Sequence, residues 1–296
     1  MSKPQIKNDL SPTFGAQEAA DALNEQGFLF QQKIREAIQN GIDFTKQAAQ
    51  PWKILANEYP VTAADGSQTR IDLLLNHITQ RNVFICLECK RSNPKYKTWL
   101  FFDKDHARSQ PFVEQRKFQS GTGSLDATYK HEISRTVDSN VPIFNYYLEA
   151  GLKRGTERAS NTDRIEQAFR QVIEGSSGLM EKMSLYEETN ARSFCRSIPV
   201  VVTTAQLFEA DFEASKIPLE TGMIEPSSIN LISHNFCAVN YHADDSLSIK
   251  SDDSNYRKED AVSDMNFFQI RTVFIVHAAA INNFLIWAGE RLTEHP

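Results

Sequence analysis

Residues 83–91 read VFICLECKR and place two kinds of reactive side chain on one short segment. Cys86 and Cys89 form a C-x-x-C pair, and Glu88 and Lys90 form an E-x-K. A zinc clip needs both sulfurs turned on one ion and a second pair of ligands. A redox pair needs a helix N-terminus to lower the thiol pKa. The run is instead rich in β-branched and aromatic residues, which predicts a strand, and strand side chains alternate between faces. Phe84, Cys86, Glu88 and Lys90 then share one face, while Ile85, Leu87 and Cys89 share the other. Alternation separates the thiols and unites the charges. Cys195 and Cys237 are single and distant in sequence, so the thiols are expected to be small packing residues.

An isolated E-x-K reads as a solvated ion pair at a strand end. The preceding run, Arg70-Ile71-Asp72-Leu73-Leu74-Leu75, changes its meaning, because a second acid opens a second apolar strand. Charges inside apolar strands need partners or a purpose. Asp72 and Glu88 on neighbouring strands, with Lys90 beside them, form a donor set for a hard divalent cation and an attacking water. Such an ion takes carboxylate and water oxygens, stabilises charge in phosphodiester hydrolysis and lowers the pKa of bound water. Lys90 would orient or activate that water. The backbone carbonyl of Cys89 faces the same edge, so Cys89 is expected to matter through its main chain.

These residues require a helix and a strand meander to position them. A helical pattern runs over 16–40, with Phe30, Ile34 and Ile38 at four-residue spacing and Gly41 as a stop. Strands are predicted at 52–61, 69–78 and 83–91. Their short connections require antiparallel pairing. A helix follows at 162–174, with Ile165, Ala168, Phe169, Val172 and Ile173 on its apolar side. A buried strand follows at 197–204. Further strands are expected at 229–241 and 248–250, and 273–288 starts strand-like and ends helical. The order implies an α/β (α+β) mixed sheet flanked by helices.

The net charge of −6 over 296 residues gives no global sign of a polyanion partner. Charge is nevertheless polarised: 90–135 carries ten Lys/Arg against five Asp/Glu, and 205–260 carries eleven acids against four bases. The polar opening MSKPQIKNDLSPTF lacks the apolar core of a signal peptide, and no apolar run is long enough to span a membrane. A cytoplasmic protein with reduced thiols and no membrane partner is expected.

Asp72 in RIDLLL, followed by Glu88-Cys89-Lys90, all in a helix–three-strand context, resembles the PD-(D/E)xK (restriction-endonuclease-like) nuclease superfamily. The resemblance covers residues 16–92 and extends more loosely to 162–174 and 197–204. It implies an αβββαβ core and Mg²⁺ (or Mn²⁺), with Asp72, Glu88 and the Cys89 carbonyl as metal ligands. Asp72, Glu88 and Lys90 would form the catalytic set of a DNA endonuclease in restriction or phage defence. Many members carry a glutamate on the first helix; Gln31, in Phe30-Gln31-Gln32-Lys33-Ile34, stands at that position here. Ile71 replaces the family's proline.

Auxiliary positions are Gln31, Glu58 on the first strand, and Gln171, which shares a helix face with Gln167. The default for the two glutamines is a solvated surface. Arg91, Lys95 and Lys97 are expected to meet nucleic-acid phosphates, while Trp99-Leu100-Phe101-Phe102 reads as a core strand. The expected organisation is an arm at 1–15, a nuclease core at 16–204 with a basic, aromatic insert at 92–160, and an extension at 205–296. That extension would complete or decorate the sheet and is where a homodimer or partner-protein contact is expected. Two alternatives stand beside DNA cleavage: RNA cleavage, and a non-catalytic nucleic-acid-binding or regulatory module of the same fold.

Overall fold

The computed structural model describes residues 15–25, 27–42, 50–63, 66–92, 98–104, 111–120, 127–135, 140–151, 160–161, 163–187, 194–242 and 270–293. Two helices, α1 (Ala16–Glu25) and α2 (Phe28–Gly41), precede the meander β1 (Trp52–Thr62), β2 (Gln68–His77) and β3 (Val83–Lys90). The strands β4 (Thr98–Lys104), β5 (Phe112–Ser120), β6 (Ala127–Arg135), β7 (Ile143–Ala150) and β8 (Ser160–Asn161) come next. Then follow α3 (Asp163–Glu187), β9 (Phe194–Thr203), β10 (Gln206–Asp211), β11 (Asn230–His234), β12 (Phe236–His242), β13 (Ile270–His277) and α4 (Ile281–Arg291).

The thirteen strands among the described residues join one mixed sheet, whose main path runs β1-β2-β3-β9-β13-β12-β7-β4-β10-β11. The meander is antiparallel, as its short turns require, whereas β9 lies parallel to both β3 and β13. Residues 198–202 of β9 are apolar and buried on both faces, as a central parallel strand must be. One edge of β9 serves two neighbours: β5 pairs with residues 194–197 and β13 with residues 200–203. Pro199 falls in the gap between them, where a missing N–H costs no ladder bond to either.

The helices divide between the two faces. Phe84 and Cys86 pack in one core with Ile165, Phe169 and Val172 of α3. Ile85, Leu87 and Cys89 belong to the other core, with Ile34 and Ile38 of α2 and Phe284 and Leu285 of α4. The expected alternation along β3 is therefore present, and the four cysteines are free thiols. α3 approaches β1 closely enough that a Cβ on Gly178 would sit 2.6 Å from the Thr62 carbonyl oxygen, which explains a glycine inside a 25-residue helix.

Several elements differ from the sequence expectation. The helical pattern at 16–40 breaks at Gly27, whose φ of 75° is left-handed. The helix expected to end at 174 continues to Glu187. The 92–160 segment, which shows no clear period, contributes β4 to β8 to the sheet; Trp99 and Phe101 are buried there. The strand expected at 229–241 is two strands, β11 and β12, parted at Asn235. Residues 1–14 of the arm, Lys95, Lys97 and the strand expected at 248–250 lie outside the described residues. Among the described residues no helix is long and apolar enough to cross a membrane.

Candidate active site

The register of the meander builds the site. Asn57 pairs with Leu73 and Tyr59 with Ile71, so Glu58 stands opposite Asp72. The β2–β3 ladder has its last pair at Leu73–Leu87, so Asp72 and Glu88 face each other one step beyond it. Three carboxylates thus form a row across β1, β2 and β3, where the ladder between β2 and β3 has stopped.

At that fork a side chain takes over from the backbone. Asp72 Oδ2 accepts the N–H of Cys89 at 2.7 Å. The N–H and C=O of a strand residue leave on the same side, so the Cys89 carbonyl is also directed toward Asp72. The thiol points into the α2/α4 core. Burial, with the neighbouring Asp72 and Glu88 carboxylates, holds that thiol well above its ordinary pKa. Cys86 is fully buried and raised to about 12 by that burial. Neither sulfur is disposed to be a nucleophile or a ligand.

Lys90 Nζ lies 2.7 Å from Glu88 Oε1 and donates to Gln171 Oε1 at 2.7 Å. Gln171 therefore reaches the candidate site, whereas Gln167 is exposed. The solvated-surface default holds for one glutamine of the pair and not for the other. α3 supplies Gln171 from one face of the sheet, and α2 supplies Gln31 from the other. Gln31 Nε2 donates to Glu58 Oε1 and to the Asp72 carbonyl, each at 2.8 Å. The amide thus fastens β1 to β2 at the level of the row. Glu58 reaches the row from a left-handed backbone, φ 49°, a conformation that costs a residue with a side chain. It follows a bulge at Leu55, where the β1–β2 register shifts.

The electrostatics are those of a crowded acidic site. Asp72 is raised to about 7, first by burial and then by Glu88 and Glu58, against the opposing Cys89 N–H bond and Lys90. Glu88 is 6% exposed and is also raised, chiefly by burial, with Lys90 pulling the other way. Three carboxylates face one ammonium, an imbalance that a bound cation would relieve. Asp72 Oδ2 is engaged by Cys89 and Glu88 Oε1 by Lys90, which leaves one oxygen of each carboxylate for a cation. No group of three His, Cys, Asp or Glu side chains arranged to hold a metal occurs among the described residues. A cation here would rest on two carboxylates, a backbone oxygen and water, a shell that Mg²⁺ accepts.

Of the residues expected to meet nucleic acid, Arg91 is exposed directly beyond Lys90. The strand that follows in sequence, β4, lies five positions away from β3 across the sheet, so Trp99 and Phe101 do not contribute to this site. Gln31 is marked in the sequence by its place in Phe30-Gln31-Gln32-Lys33-Ile34, whereas Gln171 is legible only as a polar residue on a helix face, and nothing local marks which of Gln167 and Gln171 turns inward. Comparison with models of protein families, with curated proteins and with solved structures finds no match to this chain.

Proposed function

We propose that this chain is a metal-dependent nuclease with a restriction-endonuclease-like core, hydrolysing phosphodiester bonds in DNA. The observation that carries the reading is the convergence of Asp72 and Glu88 at one fork, with Lys90 held between Glu88 and Gln171. The order α2-β1-β2-β3-α3-β9, with an antiparallel meander and β9 parallel to β3, is consistent with an αβββαβ core.

Asp72, Glu88 and the Cys89 carbonyl would hold Mg²⁺ (or Mn²⁺), which when bound supplies a Lewis acid for the phosphate oxygens and acidifies a coordinated water. Glu58 adds negative potential without completing a three-carboxylate cage. Lys90 presents an ammonium whose direction is fixed by two acceptors, so it can orient the attacking water or meet charge developing on the phosphate. Arg91, exposed directly beyond Lys90, would neutralise a backbone phosphate. Gln31 keeps Glu58 and the Asp72 main chain in register.

The test incubates the purified chain with supercoiled plasmid and, separately, with RNA, in Mg²⁺, Mn²⁺ or EDTA, beside Asp72→Ala and Lys90→Ala. Metal-dependent loss of supercoiled DNA, abolished by EDTA and by both variants, is the expected result. Equal activity in wild type and variants, or none under any condition, overturns the catalytic reading. Cleavage of RNA alone moves the assignment to a ribonuclease. DNA binding without cleavage moves it to a non-catalytic module.

A further inference from the structure

At the end of the sheet opposite the candidate active site, β11 is bonded to β10 and, among the described residues, to no other strand. Its sequence is Asn230-Leu231-Ile232-Ser233-His234. Proteins guard open edges with lysine, proline or a bulge, because unpaired N–H and C=O groups recruit another strand. β11 has no charged Lys, Arg, Asp or Glu and no proline, and its ladder to β10 is regular over all five residues. Leu231 is 55% exposed on one face of the sheet and Ile232 37% exposed on the other.

The far end of this strand is prepared with some care. His234 Nε2 sits 2.8 Å from Oε2 of Glu209, a carboxylate only 5% exposed. Lys104 Nζ lies 3.6 Å from the other oxygen of Glu209. The His234 ring is also tilted against Phe144, with centroids 6.0 Å apart. A buried carboxylate and an aromatic ring thus fix an imidazole at the last position of an open edge.

We propose that β11 is the joint of a symmetric dimer, in which a second copy of this chain pairs its own β11 antiparallel about a two-fold axis through Ile232. The strand complements itself under that operation. Ile232 meets Ile232 at the axis, Leu231 meets Ser233, and Asn230 meets His234 twice. Asn230, Ile232 and His234 share one face, so each carboxamide lies beside the ring that Glu209 orients and can bond its remaining nitrogen. A closed two-fold joint uses the same surface on both copies and leaves no further edge at that end. The opposite end of each sheet, with the carboxylate row, stays clear of the joint. The inference is independent of the nuclease reading.

Sedimentation velocity of the full chain over a micromolar concentration series tests it. The expected species has twice the 33.6 kDa of one chain. Ile232→Lys and Ile232→Glu should each sediment as single chains, because two like charges would meet at the axis. An equal mixture of the two should restore the paired species. Hydrogen exchange on the wild type needs no variant: amides of 230–234 should slow as concentration rises. A wild type that stays a single chain, a dimer that survives both substitutions, a mixture that does not pair, or exchange at 230–234 independent of concentration overturns the proposal.

Discussion

The main chain of Cys89 is held by the side chain of Asp72, N–H to Oδ2 at 2.7 Å, one step past the end of the β2–β3 ladder. A carboxylate that substitutes for a missing ladder bond is tied to the fold, yet it also stands against the like charge of its neighbour Glu88. Asp72→Asn should separate these roles. The amide oxygen can still accept from Cys89, while the like-charge contact with Glu88 disappears. The metal-free variant is therefore expected to be at least as stable as wild type, within about 1 kcal/mol. Mg²⁺ should raise the melting temperature of wild type and leave that of the variant unchanged; a Mg²⁺ response equal in both would remove Asp72 from the ligand set.

The pH dependence of metal-free stability has a defined sign. Asp72 is raised from 3.8 to about 7 by burial and by its acidic neighbours, and Glu88 is raised as well. A folded-state pKa above the unfolded value means that the native state binds more protons in the window between them. Stability then falls as pH rises from about 4 to about 7 and levels off above. Urea titrations in EDTA should give a lower midpoint at pH 8 than at pH 5.5. Mg²⁺ must displace the bound proton, so its stabilising effect should grow over the same window. A midpoint that rises with pH through this range would contradict the acidic-site account.

Lys90 and Gln171 should divide into chemistry and positioning. Lys90→Met keeps the aliphatic stem but removes the ammonium, with an expected loss of cleavage of at least about 10²-fold and retained Mg²⁺ binding. Gln171→Ala leaves the ammonium in place and frees its direction, with an expected fall in kcat of about 10-fold or more. Gln171→Glu, which restores an acceptor at the same reach, should recover more of kcat than Gln171→Ala. Plasmid cleavage under single-turnover conditions resolves the three variants.

Backbone and sulfur at Cys89 can be separated as well. The thiol points away from the carboxylates, and its pKa is held high by burial. Cys89→Ala should therefore keep Mg²⁺-dependent cleavage within a few-fold of wild type, since it retains the N–H and C=O that face Asp72. A complete loss of cleavage in a folded Cys89→Ala protein would show that the sulfur takes part.

The site was legible where a period exposes it. Two-residue alternation placed Phe84, Cys86, Glu88 and Lys90 on one face of β3, and the short turns around β2 fixed the antiparallel meander that faces Asp72 to Glu88. The buried residues of α3 followed from the spacing of Ile165, Ala168, Phe169, Val172 and Ile173. What no period encodes is only partly legible. Gln171 is named as an auxiliary position, but its spacing does not set it apart from Gln167, because the bond to Lys90 depends on where α3 docks over β3. The break at Gly27 rests on the same residue type as the stop at Gly41, but the helical pattern continues on both sides of it, so the pattern alone reads as one helix. The strands between 92 and 160 interleave with distant partners, β4 with β10 and β7 with β12, and long-range pairing leaves little mark on local sequence.

Glu58 offers a comparison in which backbone strain can be measured apart from charge. Its φ of 49° is left-handed, it stands opposite Asp72, and its carboxylate accepts from Gln31. Glu58→Ala and Glu58→Gly both remove the carboxylate and its bond to Gln31, so any effect of the lost negative potential on cleavage should be the same in both. They differ in the backbone. A Cβ in the left-handed region costs about 1–2 kcal/mol relative to glycine, partly offset by the greater unfolded-state entropy of glycine, about 0.5–1 kcal/mol. Glu58→Gly should therefore be more stable than Glu58→Ala by about 1 kcal/mol, read as the difference between their urea midpoints. If Glu58→Ala proves the more stable, the left-handed turn is not retained once the carboxylate is gone. In that case the bond to Gln31, rather than the fold of β1, is what holds residue 58 in that conformation.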